Sequence, residues 1–165
     1  MKKDIFRFLA DNAIQYERVD HPPVFTCEQA EELVPPMPGV HTKNLFVRDK
    51  KGRRHFLVVV RYSKSVDLKA LSSKLGISNL SLGSERRLQR YLGIEPGAVS
   101  LLAIINDVES AVELVLDADV WQEDMLQCHP LVNTSTLAIE RGDVERIFEI
   151  TGHKWRVLSI PERTR

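Results

Sequence analysis

The sequence predicts a mixed α/β fold of the α+β kind, with a largely antiparallel central sheet surrounded by helices. Two observations carry this. The apolar runs NLFVRD and RRHFLVVVRY flank the turn residues DKKG, which is the pattern of a β-hairpin. The other candidate strands also stand close together, without the regular helices of repeated βαβ units between them, which favours antiparallel neighbours.

Taken in order, residues 3–14 space Ile5, Phe8 and Leu9 on one helical face, with Phe6 nearby, and predict an amphipathic helix. QYERVDHPPVF reads as a short extended stretch stopped by Pro22 and Pro23. Thr26 is an N-cap candidate, and Gln29 three positions on completes a capping box for the helix TCEQAEELV, which ends at Pro35 and Pro36. The stretch PMPG leads into the hairpin. VDLKALSSKLG predicts a helix with Leu68, Leu71 and Leu75 on one face and Gly76 as C-cap. SERRLQRYLGI predicts another, opening at Ser84 and ending at Gly93. EPG predicts a turn, AVSLLAIIN an apolar strand and AVELVLDADV a second one. DMLQCHP reads as a short helix or loop, TSTLAIE as a strand, VERIFEITG as a final helix and KWRVLSI as a last strand. No repeat, low-complexity tract or Gly/Ser linker interrupts the chain, so a single domain is expected over residues 1–165.

Composition narrows the function classes. The 165 residues are 43% hydrophobic and 28% charged, which suits a globular chain with a sizeable core. Lys plus Arg and Asp plus Glu both number 23, so no global charge draws the chain to nucleic acid, although cations gathered on one face would suffice for RNA. Asp4 and Arg7 interrupt any apolar signal region, and no run of about eighteen apolar residues exists to cross a membrane. Cys27 and Cys128 lie far apart with no metal-ligand spacing. Two such thiols without an export signal fit a reducing cytoplasm, and a disulfide between them stays open. No GxGxxG, Walker A, HExxH or GxSxG pattern occurs, and no pair of histidines has metal-ligand helical spacing with a carboxylate. No cofactor, metal, membrane or DNA partner is therefore expected.

Three places combine polar side chains with loop geometry. Lys43 and Asn44 open the strand after PPMPG, where strand alternation sends neighbours to opposite faces; a solvated lysine beside a loop and a ligand anchor both fit these residues. Gly97, in EPGAVS, reads either as the glycine of a type II turn or as a point where a ligand approaches backbone N–H groups. CHPLVNTST holds His129 before a rigid proline, with an amide and three hydroxyls following. That imidazole could donate to a substrate oxygen, steer a water, or simply cap the preceding segment. Cys128 next to His129 does not make a dyad, because neighbours on a strand point apart.

The blocks PPVFTCEQA, PGVHTKNLFVRDKKGRRHFLVVV, LGIEPGAVS and CHPLVNTSTLAI, in this order, resemble the YbaK/ProX family of aminoacyl-tRNA editing domains. The likeness is closest to free-standing members that hydrolyse alanyl-tRNA(Pro), and it runs from about residue 3 to the end of the chain. The resemblance implies a central sheet flanked by helices and one pocket for the 3′ end of tRNA. It implies that Lys43 engages the terminal nucleotide or its phosphate, with Asn44 beside it. Gly97 would be the pocket glycine, and His129 the histidine that shapes and polarises the site. Thr26, Ser100, Asn133 and Thr134 would lie along the substrate. The sequence departs from the alanine-specific pattern at Leu101 and Leu102, where Pro-Phe often follows the serine, and at Cys128 before His-Pro.

The expected activity is trans-editing hydrolysis of mischarged aminoacyl-tRNA, most of all alanyl-tRNA(Pro), without a metal and assisted by the substrate's own ribose hydroxyl. The partners expected are the acceptor end of tRNA(Pro) and, second, a prolyl-tRNA synthetase. A pocket sized for alanine rejects proline sterically, whereas a proline pocket cannot reject alanine, so a second hydrolytic site is the physical remedy. Release of cysteine, serine or a small non-protein amino acid is one alternative. A non-catalytic tRNA-binding module is another, for which the ERRLQR segment would supply cations; a solvated helical face is the plainer account of that segment.

Overall fold

The computed structural model describes residues 3–164. Met1 and Lys2, part of the stretch read above for a signal, lie outside the described residues, as does the side chain of Cys27. The elements in order are α1 (Ile5–Asp11), β1 (Glu17–Asp20), α2 (Cys27–Leu33), β2 (Val40–Arg48), β3 (His55–Arg61), α3 (Leu68–Leu75), β4 (Ser81–Leu82) and α4 (Glu85–Leu92). Two 3-10 segments follow, Pro96–Ala98 and Leu101–Asn106. Then come β5 (Val112–Asp117), α5 (Ala118–Trp121), β6 (Met125–Cys128), β7 (Ser135–Glu140), α6 (Arg141–Thr151) and β8 (Trp155–Leu158).

The strands form one mixed sheet in the order β1-β7-β6-β2-β3-β5-β8, with β4 against β2. Its antiparallel contacts are β1–β7, β6–β7, β2–β3 and β2–β4; β2–β6, β3–β5 and β5–β8 are parallel. Two apolar layers cover it. Phe46, Leu57, Val59 and Leu114 face a larger core shared with α1, α4, α5, α6 and the second 3-10 segment. Val47, Phe56, Val58 and Val60 face a smaller core closed by Leu71 and Leu75 of α3 and by Ile160. The alternation along β2 and β3 therefore sets which side each polar neighbour takes.

Local chemistry explains most boundaries. Thr26 Oγ1 accepts from the Gln29 N–H at 3.1 Å, and Ser84 caps α4 through the Arg87 N–H. Gln29 Oε1 reaches one residue further back than a capping box requires and accepts from the Phe25 N–H at 2.9 Å. Gly76 and Gly93 end α3 and α4 in the left-handed conformation, where glycine carries no Cβ penalty. The first helix is shorter than residues 3–14: Asp4 caps it, and it ends where Asn12 Nδ2 turns back onto the Phe8 carbonyl.

Several expectations are corrected. AVSLLAIIN is not a strand: residues 101–105 are each at most 2% exposed, and Ser100 Oγ accepts the Leu102 N–H to start a 3-10 helix. A wholly buried apolar run carries no periodicity to separate helix from strand. DMLQCHP is neither helix nor loop but holds β6, an inner strand whose alternation is masked by the buried Gln127. The strand in AVELVLDADV stops at Asp117, after which α5 turns away. Gly97 is not the left-handed residue of a type II turn; it sits in a 3-10 turn closed by Ala98 N–H to Glu95 O at 2.9 Å.

Candidate functional site

Lys43 and Asn44 are not at a strand mouth. They are the fourth and fifth residues of the nine-residue β2, paired to Val60 and Val59 of β3. The other edge of β2 changes partner. Val40 and His41 pair with β6, whereas Val47 and Arg48 pair with β4. Between these pairings the edge opens. The Thr42 hydroxyl donates to the Gln127 carbonyl at 2.6 Å where the parallel ladder stops, and the Gly83 N–H donates to Phe46 O at 2.8 Å where β4 begins. Ladder alternation turns the Asn44 backbone toward this opening. The preceding loop is fixed from below: Gln127 Nε2 donates to the carbonyls of Met37 and Gly39, and a Cβ on Gly39 would stand 3.1 Å from Met125 O.

Electrostatics single out Lys43. It is half-buried, and among the described residues its ammonium has no hydrogen bond or ion pair. Each other half-buried Lys or Arg has a partner. Lys64 pairs with Asp117, Arg61 with Asp119 and Glu123, and Arg87, Arg141 and Arg48 with backbone carbonyls. On the neighbouring position, Asn44 Oδ1 is closed off from solvent without a hydrogen-bond partner among the described residues. A desolvated acceptor with nothing donating to it costs about 1–3 kcal/mol, so it fits a site that receives a donor from a ligand.

His129 follows β6 in the loop to β7. Its Nδ1 lies 3.1 Å from the Ser135 carbonyl; a carbonyl only accepts, so Nδ1 carries the proton and Nε2 presents a lone pair. Burial holds its pKa below the usual histidine value, outweighing the Ser135 hydrogen bond, which keeps the ring neutral. As an acceptor at Nε2, it suits steering a water or a hydroxyl rather than donating to an oxyanion. The loop holds its shape at a cost: Leu131 has φ 67, in the left-handed region, and packs against the larger core.

Two further histidines gather here. His41 lies two positions before Lys43 and so shares its face of β2. Its ring stacks on Tyr62 at 4.1 Å, and its pKa is pushed down to about 4 by burial, with the charges of His129 and His21 adding. His21 is buried, its Nδ1 2.8 Å from Pro22 O and its Nε2 2.9 Å from the Thr136 hydroxyl. The shared face of His41 and Lys43 was the available signal; the approach of residues 21 and 129 was not visible in sequence.

Ser100 joins the remaining parts. It is fully buried, and its hydroxyl donates to the His129 carbonyl at 2.5 Å, so it acts on the loop rather than presenting itself to a ligand. Gly97, three residues earlier, is exposed, and a Cβ there would meet only Phe25 Cε1, at 3.7 Å. Phe25 in turn precedes Thr26 and is 69% exposed. Asn133 is half-buried and Thr134 exposed, and the Thr134 carbonyl accepts the His21 N–H at 2.9 Å. The fold thus ties Ser100 to His129, sets Gly97 three residues before that tie, and places His41 near His129 on Lys43's face. Leu101 and Leu102, each 1% exposed, are core residues, so their departure from the family pattern is first a matter of packing. Burial pushes the Cys128 thiol up to about 12, which leaves it without nucleophilic character at neutral pH.

The half-buried Lys43 ammonium, the orphaned Asn44 Oδ1 at the next position of the open strand edge, and the neutral His129 imidazole on a braced loop are the candidate parts of a site. Residues 21–147 match the aminoacyl-tRNA editing domain, and the chain belongs to that family. Its activity class is aminoacyl-tRNA deacylation, with tRNA as substrate. The chain is 35% identical over 159 residues to the prolyl-tRNA editing protein ProX of Acetoanaerobium sticklandii, covering 96% of this chain and 97% of that one. It is 39% identical over 162 residues to prolyl-tRNA synthetase associated domain-containing protein 1 of Danio rerio, covering 97% and 88%. A solved structure of a candidate trans-editing enzyme for prolyl tRNA synthetase superposes with a TM-score of 0.68 at 15% identity, covering 99% of both chains, and shows the same fold. No helix among the described residues is long and apolar enough to cross a membrane.

Proposed function

We propose that the chain removes alanine from alanyl-tRNA(Pro), cleaving the ester with a water and the free hydroxyl of the terminal ribose. The observation that carries this is Lys43, the half-buried cation left without a partner among the described residues, beside the orphaned Asn44 Oδ1. An ammonium is suited to a phosphate as a point charge, and so anchors the 3′-terminal nucleotide. Asn44 Oδ1 accepts a hydrogen from the substrate's amine or hydroxyl. Water adds to the ester carbonyl, the oxyanion is held by backbone N–H groups near Gly97, and the C–O bond to the ribose breaks. The proton lost by the water passes to the ribose oxygen that leaves, and alanine and tRNA separate. His129, neutral and accepting at Nε2, orients the water or the neighbouring ribose hydroxyl.

Trans-editing of prolyl-tRNA is supported by the named relatives, and a prolyl-tRNA synthetase is the second proposed partner, in keeping with the name of the Danio rerio relative. The test is deacylation of alanyl- and prolyl-tRNA(Pro) by purified protein and by Lys43→Ala, with cysteinyl- and seryl-tRNA in the same panel. Hydrolysis of the alanyl ester above the others, lost in the variant, is expected. Full activity in Lys43→Ala would sink the anchoring role, and preference for another ester would reassign the specificity.

A further inference from the structure

A second charged feature lies at the far end of β2. The β2–β3 turn and α4, residues 48–54 and 85–90, hold eight of the chain's 23 Lys and Arg but two of its 23 Asp and Glu. In a chain of zero net charge the remainder is therefore net acidic, and this place carries a marked local excess of cations.

The two segments make one surface. Arg87 Nη1 donates to Gly52 O at 3.1 Å and lies 2.9 Å from His55 Nε2, which fastens α4 to the turn. A glycine is needed at 52: φ is +68, and a Cβ would stand 2.6 Å from Arg87 Nη2. Tyr91 packs its ring 4.1 Å from His55, while Leu88 and Leu92 are buried. With α4 held so, Arg86 and Arg90 stay exposed one helical turn apart, beside the exposed Lys50, Lys51 and Arg53.

Apart from the exposed Glu85, the other charges of the region are already used. Arg54 grips Glu113 in a fork, at 2.8 and 2.9 Å, and Arg48 donates to the carbonyls of Asp49 and Lys50. Asp49 Oδ1 accepts from the backbone N–H groups of Arg53 and Arg54, which shapes the turn. The five exposed cations form no ion pair with any described residue. No carboxylate among the described residues pairs with them, so a polyanion can.

We propose that this surface binds the phosphate backbone of the tRNA acceptor stem, while the 3′ end enters at the open stretch of β2. The inference rests on the tRNA reading for its ligand and deepens it by naming where the RNA outside the pocket is held. Asp49, just past the end of β2, lies six positions from Lys43, about 20 Å of strand. One ligand with a single-stranded end and a duplex behind it spans that length, and lysines and arginines on fixed elements position a backbone without reading bases.

The test compares wild type with Lys50→Gln/Lys51→Gln/Arg53→Gln, with Arg86→Gln/Arg90→Gln, and with Arg7→Gln on α1 as control. Binding of uncharged tRNA(Pro) is measured between about 50 and 200 mM salt, a range over which phosphate neutralisation dominates the salt dependence. Both patch variants are expected to weaken binding at least tenfold. The slope of log K against log salt should fall by about 0.9 for each phosphate that the variant no longer neutralises. In deacylation KM should rise while kcat holds, and Arg7→Gln should change nothing. Wild-type affinity and slope in both patch variants overturn the proposal, whatever the turnover. A reduced slope in a protein that hydrolyses no charged tRNA upholds the docking surface and overturns the deacylase reading instead. Thermal unfolding controls for fold, and the single exposed change Lys51→Glu gives the same readout if a multiple variant unfolds.

Discussion

The hydroxyl of Ser100 donates to the carbonyl oxygen of His129, across 29 residues of chain. The same hydroxyl accepts the Leu102 N–H at 3.2 Å, so one buried group starts the 3-10 helix and braces the loop that carries the imidazole. Ser100→Ala leaves both partners unsatisfied in the interior, at a cost of about 1–3 kcal/mol. Because the loop also loses its anchor, kcat for ester hydrolysis should fall more than KM rises. Thermal melts with single-turnover deacylation check this; a variant with wild-type stability and rate would remove the coupling.

Gly97 makes the opposite case. Its backbone is outside the left-handed region, and the only atom a Cβ would meet is at ordinary van der Waals distance, so the fold itself does not require glycine there. Gly97→Ala should leave stability unchanged or raise it by up to about 1 kcal/mol, since it restricts the unfolded chain. If a substrate approaches the backbone at this point, the added methyl should cut deacylation at least tenfold. Full activity with the alanine would show that nothing approaches.

What sequence made legible was set by short-range chemistry. The hairpin around DKKG, the Ser84 and Thr26 caps and the glycine ends of α3 and α4 each rest on neighbours within a few residues, and the structure bears them out. LLAIIN and MLQC were misread because burial on every side erases the alternation that identifies a strand or a helix. The open stretch of β2 was invisible for a different reason. It exists because β6 and β4 meet the same edge at separate points, and both pairings join residues far apart in sequence. The histidine cluster has the same origin, in the approach of residues 21, 41 and 129.

That cluster gives the fold a pH dependence of definite sign. The pKa of His41 is held at about 4 by burial, with His129 and His21 adding, and burial also lowers those of His129 and His55. The unfolded chain, with histidines near 6.5, binds protons more readily than the folded one. The stability these rings contribute is therefore complete above about pH 6.5 and is lost as the pH falls toward 4. For His41 alone the effect is about 3–4 kcal/mol at most, and less once solvent screening of the partly exposed ring is counted. Melting temperatures should hold steady from neutral pH upward and drop across that window. His41→Phe, which keeps a ring over Tyr62, should flatten the drop; an unchanged profile would count against the depressed value.

The isolation of Lys43 predicts that stability and activity respond to its loss in different directions. An ammonium that is partly desolvated and has no partner among the described residues is carried at a cost, because no intramolecular bond offsets its lost hydration. Lys43→Met keeps the side-chain length on the face shared with Val60 and removes the charge. The melting point should stay level or rise, by up to about 1 kcal/mol of stability, as expected for a residue retained for function. The kcat/KM for the charged tRNA should fall by two orders of magnitude or more if the ammonium meets a phosphate in a desolvated site, roughly 3 kcal/mol. Lys43→Arg keeps the charge on a wider group and should recover part of that loss. Destabilisation of Lys43→Met by well over 1 kcal/mol would mean that the ammonium serves the fold after all, and the anchor would have to be sought elsewhere on the open edge.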